Sequence, residues 1–242
     1  MLSQNTIKEL SIKNQTRKDN IAREYIQHLF LSALYSQKGS NVLLFKEGTA
    51  LRIVFHSPRF SEDLDFSVQK ILSKNKLDDF FLKSISKIEN QGITIQLKEA
   101  KLTSEGYLGI ISYSFYDFSG EINIEISLRK EILLQKSVIT IVSDFLPAYV
   151  LVHLSPKEIV KGKFLALLKR HKPRDYYDLY FILRHPELNK FVDFKKISEI
   201  KEKLLKEKIN FKSELEILLP ISHHVILKDF KQSLITEIDK YF

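Results

Sequence analysis

Apolar residues recur at helical spacing after Thr16, with Ile21, Tyr25 and Leu29 four apart and Ala22 and Ile26 beside them. This predicts a long amphipathic helix to about Gln37. A shorter helix is expected over residues 5–14, and Lys38-Gly39-Ser40-Asn41 supplies the turn that ends the long one. The period then changes. Residues 42–45 are an apolar run of strand length, Gly48 and Thr49 form a turn, and residues 50–55 (ALRIVF) return to helix. Residues 59–66 (RFSEDLDF) follow as a strand in which Asp63 and Asp65 stand two apart and so share a face. Residues 77–90 read as an amphipathic helix closed by Gln91-Gly92, with strands at 93–98, 107–118 and 121–128 after it. Ser119-Gly120 is the expected tight turn of a hairpin between the last two. In EINIEISL, Ile122, Ile124, Ile126 and Leu128 face one way, and Asn123, Glu125 and Ser127 the other.

Beyond Leu146-Pro147 the pattern turns helical, with residues 150–153 a last strand or a link. Ser155-Pro156-Lys157-Glu158 is a helix start, with a capping serine, proline at the first position and a glutamate three after the cap. Lys163 falls inside that helix's apolar stripe of Val160, Phe164 and Leu167, and Arg170 lies on the same side. A lysine head in such a place needs a negative partner or must reach past the stripe to water. Lys172-Pro173 breaks the helix, and residues 174–184 (RDYYDLYFILR) form the next, with Asp175 and Asp178 on one face. Asp175 also suits the first turn of a helix by its charge alone. The remainder reads as two or three more helices packed in a bundle. The expected architecture is therefore α/β (α+β): a small mixed sheet with helices in residues 1–147, then an all-α bundle in 148–242.

The 242-residue chain has no cysteine, which excludes disulfides and thiolate metal sites and leaves oxygen ligands for any metal. The formal net charge of +8 favours a polyanionic partner, although a lysine-rich composition spread along the chain gives the same number. The segment MLSQNTIKEL lacks a basic-then-apolar signal pattern and no apolar run approaches spanning length. The expected location is the cytoplasm, without membrane attachment.

Two carboxylates side by side repel unless a cation sits between them or one takes a proton, so Asp63 and Asp65 are candidate metal ligands. The plain alternative is the solvated face of a half-buried strand. The turn at Gly48-Thr49 leads a strand into a helix N-terminus, where free N–H groups and the helix dipole suit a phosphate. Glu125, on the polar face of a strand that can lie beside that of Asp63 and Asp65, supplies a third carboxylate. Three such groups can hold two Mg²⁺ (or Mn²⁺) ions.

The block FKEGTALRIVFHSPRFSEDLDF closely resembles the first signature of the AbiEii/AbiGii abortive-infection toxins, a branch of the nucleotidyltransferase superfamily. KFLALLKRHKPRDYYDLYFIL resembles the second, a Lys–x6–Arg helix followed by Arg-Asp-x-x-Asp-Leu. The resemblance covers roughly residues 40–184. Two positions depart from it: Glu47 stands at the family's usual first glycine, and Gly162 where glutamate commonly precedes the lysine. The resemblance implies a nucleotidyltransferase fold with its active site in a cleft between a sheet domain and a helical domain. It implies transfer of a nucleotide from an NTP to an acceptor, with RNA, including tRNA 3′ ends, an acceptor class of related enzymes, and a separately encoded antitoxin. Under it Asp63, Asp65 and Glu125 hold the metal, and Lys46, Gly48, Thr49, Ser61 and Arg170 bind nucleotide. Lys163 and Arg170 contact phosphates or acceptor. Ser61 binds nucleotide or fixes its loop, and Asp175 orients Lys163, positions the acceptor or acts as base. Glu47 and Gly162 favour a competing reading, a non-catalytic RNA- or protein-binding member of the fold. A small-molecule nucleotidyltransferase shares the paired carboxylates.

Overall fold

The computed structural model describes residues 1–70, 72–104, 106–128 and 134–242, which divide into two compact units. The first comprises Met1–His56 and Phe60–Leu154; the second comprises Ser57–Arg59 and Ser155–Phe242. The chain thus leaves the first unit for three residues and returns to it.

The first unit opens with α1 (Gln4–Lys13) and α2 (Lys18–Tyr35). Then come β1 (Leu43–Lys46), α3 (Glu47–Phe55), β2 (Leu64–Val68), α4 (Lys74–Glu89) and β3 (Thr94–Leu102). The strands β4 (Gly106–Phe115), β5 (Phe118–Ser127), β6 (Lys136–Ile141) and β7 (Tyr149–Leu154) complete it. Among the described residues these strands form one mixed seven-stranded sheet in the order β3-β4-β5-β2-β1-β7-β6. The chain therefore has an α/β architecture with both parallel and antiparallel pairs. Residues 150–153 belong to an ordered strand, β7, at the end of the first unit. The strand β6, whose run of four β-branched residues at 138–141 is its only signal, was not among the expected elements.

One expected turn sits elsewhere. Phe115 pairs with Phe118 and Tyr113 with Gly120, so Tyr116-Asp117 turns the hairpin and Ser119-Gly120 lies within β5. The glycine is needed there for another reason: a Cβ at position 120 would come 2.8 Å from the Tyr113 hydroxyl. Tyr116 takes the left-handed conformation itself, at φ 51°.

The helix α2 is buried over most of its circumference, so its polar residues need partners inside. Glu24 takes the Arg52 guanidinium at 2.6 and 3.2 Å, and Gln27 donates to the carbonyls of Ser61 and Glu62. His28 shares a hydrogen bond between Nδ1 and the Tyr149 hydroxyl at 2.9 Å. Burial, and then the Arg52 charge, push the His28 pKa down to about 3. Between that value and the ordinary histidine range the unfolded chain binds a proton that the native one does not. Stability of the first unit should therefore fall on acidification below about pH 6.5, by about 1.4 kcal/mol per pH unit from this group. Urea unfolding from pH 4 to 7 checks it, and His28→Gln should remove that part of the slope.

In the second unit α5 (Pro156–Arg170) begins where the sequence says, with the Ser155 side chain accepting from the Glu158 N–H. It is followed by α6 (Pro173–Arg184), α7 (Phe194–Lys206), α8 (Lys212–Leu218) and α9 (Phe230–Asp239). Tyr176, Tyr177, Phe211 and Phe230 form its aromatic core.

Candidate active site

Asp63 immediately precedes β2 and Asp65 lies within it. The strand β2 pairs parallel to β5, with Leu64 opposite Ile124 and Asp65 opposite Glu125. On its other side β2 pairs antiparallel to β1, which sets Lys46 opposite Asp65. Partners across a ladder share a face, so Lys46, Asp65 and Glu125 stand in a row across three strands. The alternating isoleucines of β5 go to the core, leaving Glu125 exposed. Two residues back along the pair, the Asn123 amide donates to Asp63 Oδ1 at 3.0 Å.

Asp63 is also held through its backbone. Its carbonyl accepts from the fully buried Thr49 hydroxyl in the first turn of α3. Thr49 thus fixes the height of Asp63, while Gln27 grips the two preceding carbonyls, including that of Ser61. A cavity of about 420 Å³ opens on this face, lined by Lys46, Asp65 and Glu125 together with Thr103, Ser104 and Ser127.

The donors suit a hard divalent cation: three carboxylates on one face of neighbouring strands, with no sulfur nearby. As the side chains lie, however, no three His, Asp or Glu among the described residues converge on one point where an ion could be held.

The helix α3 starts directly at the end of β1, so Gly48 and Thr49 form its first turn rather than a separate loop, and no side chain caps it at Lys46. Glu47, where glycine is usual in the resemblance, takes a left-handed φ of 65°. That conformation costs a non-glycine residue about 1–2 kcal/mol, whereas an acidic side chain at a helix N-terminus returns about 0.3–1 kcal/mol. The strain is the larger effect. Glu47→Gly should raise the unfolding free energy of the first unit by up to about 1 kcal/mol, as urea titration would measure.

The second motif lies in the second unit. Lys163 is 4% exposed and its Nζ lies 3.1 Å from Asp178, which also takes the Arg59 guanidinium at 2.8 and 3.0 Å. Arg170 pairs bidentately with Asp175 at 2.9 and 2.8 Å. Asp178 thus pairs with Lys163, and Asp175 with Arg170. Burial raises the Asp178 pKa, but Arg59 and Lys163 outweigh it and hold the carboxyl below the usual range.

Sequence reasoning missed Asn123, Gln27 and the pairing role of Asp178. The alternation that nominated Glu125 also put Asn123 on its face, and the i, i+3 spacing placed Asp178 beside Asp175. Nothing local marks Gln27.

This fold is that of nucleotidyltransferases. A putative nucleotidyltransferase from H. pylori is similar at 20% identity with a TM-score of 0.66, over 93% of this chain and 95% of that one. MenT4, a nucleotidyltransferase toxin from Mycobacterium tuberculosis H37Rv, is similar at 17% identity with a TM-score of 0.66, over 100% of this chain and 93% of that one. No curated protein matches. The profile of the nucleotidyl transferase AbiEii toxin family, type IV toxin–antitoxin system, matches residues 29–240, and the chain belongs to that family. Among the described residues no helix is long and apolar enough to cross a membrane.

Proposed function

We propose that this toxin-family chain is a metal-dependent nucleotidyltransferase that moves a nucleotide from an NTP to an RNA acceptor, tRNA among the candidates. The observation that carries the reading is the register of β2 against β5. It lines up Asp65 with Glu125 and Asp63 with Asn123 on one face beside the cavity. Asp63, Asp65 and Glu125 would hold Mg²⁺ or Mn²⁺, which when bound neutralises phosphate and leaving-group charge and favours an acceptor alkoxide. Lys46, beside Asp65 in the ladder, offers an ammonium to the phosphates. The N-terminal turn of α3, with Gly48 and Thr49, offers backbone N–H groups. Ser61, gripped through its carbonyl by Gln27, would fix the loop that sets the acids or bind nucleotide through its side chain. In the second unit Lys163 pairs with Asp178 and Arg170 with Asp175, and these two cations would contact phosphate or acceptor.

The net charge of +8 supports a polyanionic acceptor. The family's type IV toxin–antitoxin description supports a separately encoded antitoxin as partner, and the cytoplasm is where NTP and RNA meet. A second reading, a non-catalytic RNA- or protein-binding member, is favoured by the charge and strain of Glu47 at the α3 N-terminus.

The test is incubation with each labelled NTP, Mg²⁺ and total cellular RNA. Label entering RNA, and lost in both Asp63→Ala and Lys163→Ala, supports transfer. Folded protein that labels nothing under any NTP yet binds RNA independently of Asp63 belongs to the second reading.

A further inference from the structure

Away from the carboxylate face, the first unit carries a second charged feature. Lys76, Lys83 and Lys87 lie on α4 at i, i+7 and i+11, which returns each to within about 20° of one line along a run of about 16 Å. With Lys38, just past the end of α2, they line a groove of about 600 Å³ between the two helices, where Ser36, Ser86 and Gln37 supply hydroxyls and an amide. All four lysines are exposed, and Asp79 is the one carboxylate among the lining residues.

The groove is built rather than accidental. The Gln37 amide donates to the Phe80 carbonyl and to Ser84 Oγ, both at 2.9 Å, and so fastens the end of α2 to α4. Lys87 Nζ donates to Ser36 Oγ at 2.6 Å. Asp79 sits between Lys76 and Lys83, at 3.3 and 2.9 Å, and spaces them. The stem of Lys76 lies against Phe80, with Nζ 4.5 Å from the ring centroid. Phe80 itself is 1% exposed, so the groove presents no aromatic face for a base to stack on and no apolar anchor of the kind protein partners fill.

A row of held cations with a polar floor fits a sugar–phosphate backbone. We infer that the α2–α4 groove docks the backbone of the RNA acceptor, reading charge and not sequence, at a site separate from the carboxylates. The inference rests on the RNA reading above and adds where the body of that RNA is held.

The test measures binding of a fluorescein-labelled RNA stem-loop by anisotropy across a salt series, without NTP, on the Asp63→Asn background. The triple variant Lys76→Gln/Lys83→Gln/Lys87→Gln should weaken binding about 100-fold near 0.1 M salt. It should also reduce the slope of log K against log salt by roughly 2–3. A control with the same charge change, Lys195→Gln/Lys206→Gln/Lys208→Gln on exposed positions of the second unit, should leave the slope within about one unit of the parent. Equal losses in both triples, or none in the first with its thermal unfolding unchanged, overturn the inference. So does a groove that takes polyglutamate but not RNA, which would make it protein-facing. Because no nucleotide is transferred in this assay, its outcome is independent of whether the carboxylates catalyse transfer; RNA labelling that persists while the groove variant binds normally rejects the groove alone.

Discussion

Asp178→Ala should lower the unfolding free energy of the second unit by about 3–5 kcal/mol, the usual consequence of removing one partner from a buried ion pair. Asp178 is 1% exposed and receives two cations, Arg59 through both oxygens and Lys163 through one. Their desolvation is offset in large part by that carboxylate, and alanine removes it from between two buried cations. Against a total stability of roughly 5–15 kcal/mol, the loss approaches unfolding. Urea titration followed by tyrosine fluorescence and far-UV circular dichroism measures it. Lys212→Ala, which removes an exposed pair with Glu216, serves as the reference and should cost under about 1 kcal/mol. A similar small change for both variants would mean that the Asp178 cluster contributes little. The same pair predicts a pH effect. With the folded carboxyl held below its ordinary value, its contribution is complete above about pH 4 and is lost as pH falls through the lower folded value.

The second large effect is on chemistry. Asp65→Asn and Glu125→Gln should each reduce nucleotide transfer about a thousand-fold, equivalent to about 4 kcal/mol of lost charge stabilisation. For Glu125→Gln, stability should move the other way or not at all. The two acids are cross-strand neighbours, and neutralising one relieves a like-charge contact of about 0.2–1 kcal/mol. Asn123→Leu, which releases Asp63 Oδ1 without touching the acids, should cost about 10–100-fold and raise the Mg²⁺ concentration needed for half activity. Mn²⁺ binding followed by electron paramagnetic resonance separates the cases: it should weaken in all three. Variants that unfold more readily yet bind Mn²⁺ as the parent does would make these carboxylates structural.

Glu47 joins the two lines of argument. It puts both strain and negative charge at the start of α3, where the proposed phosphate would sit. Its replacement by glycine therefore reports on folding and nucleotide affinity together.

The sequence by itself determined the elements whose periodicity is local. The long α2, the capped start of α5, the alternation of β5 and the two family motifs are all visible there, because a helix face or strand face is set by neighbours within a few residues. It nominated Asp63, Asp65, Glu125 and Lys163, but not what each would meet. That was decided by pairing between distant segments: β2 with β5 across some sixty residues, Arg59 with Asp178 across 119. The hairpin turn at Tyr116-Asp117 was decided the same way, since packing of Tyr113 over Gly120 outweighed the local turn preference of Ser-Gly. Periodicity fixes which way a side chain points, whereas register and ion-pair choice depend on free energies summed over contacts that come together only when the chain folds.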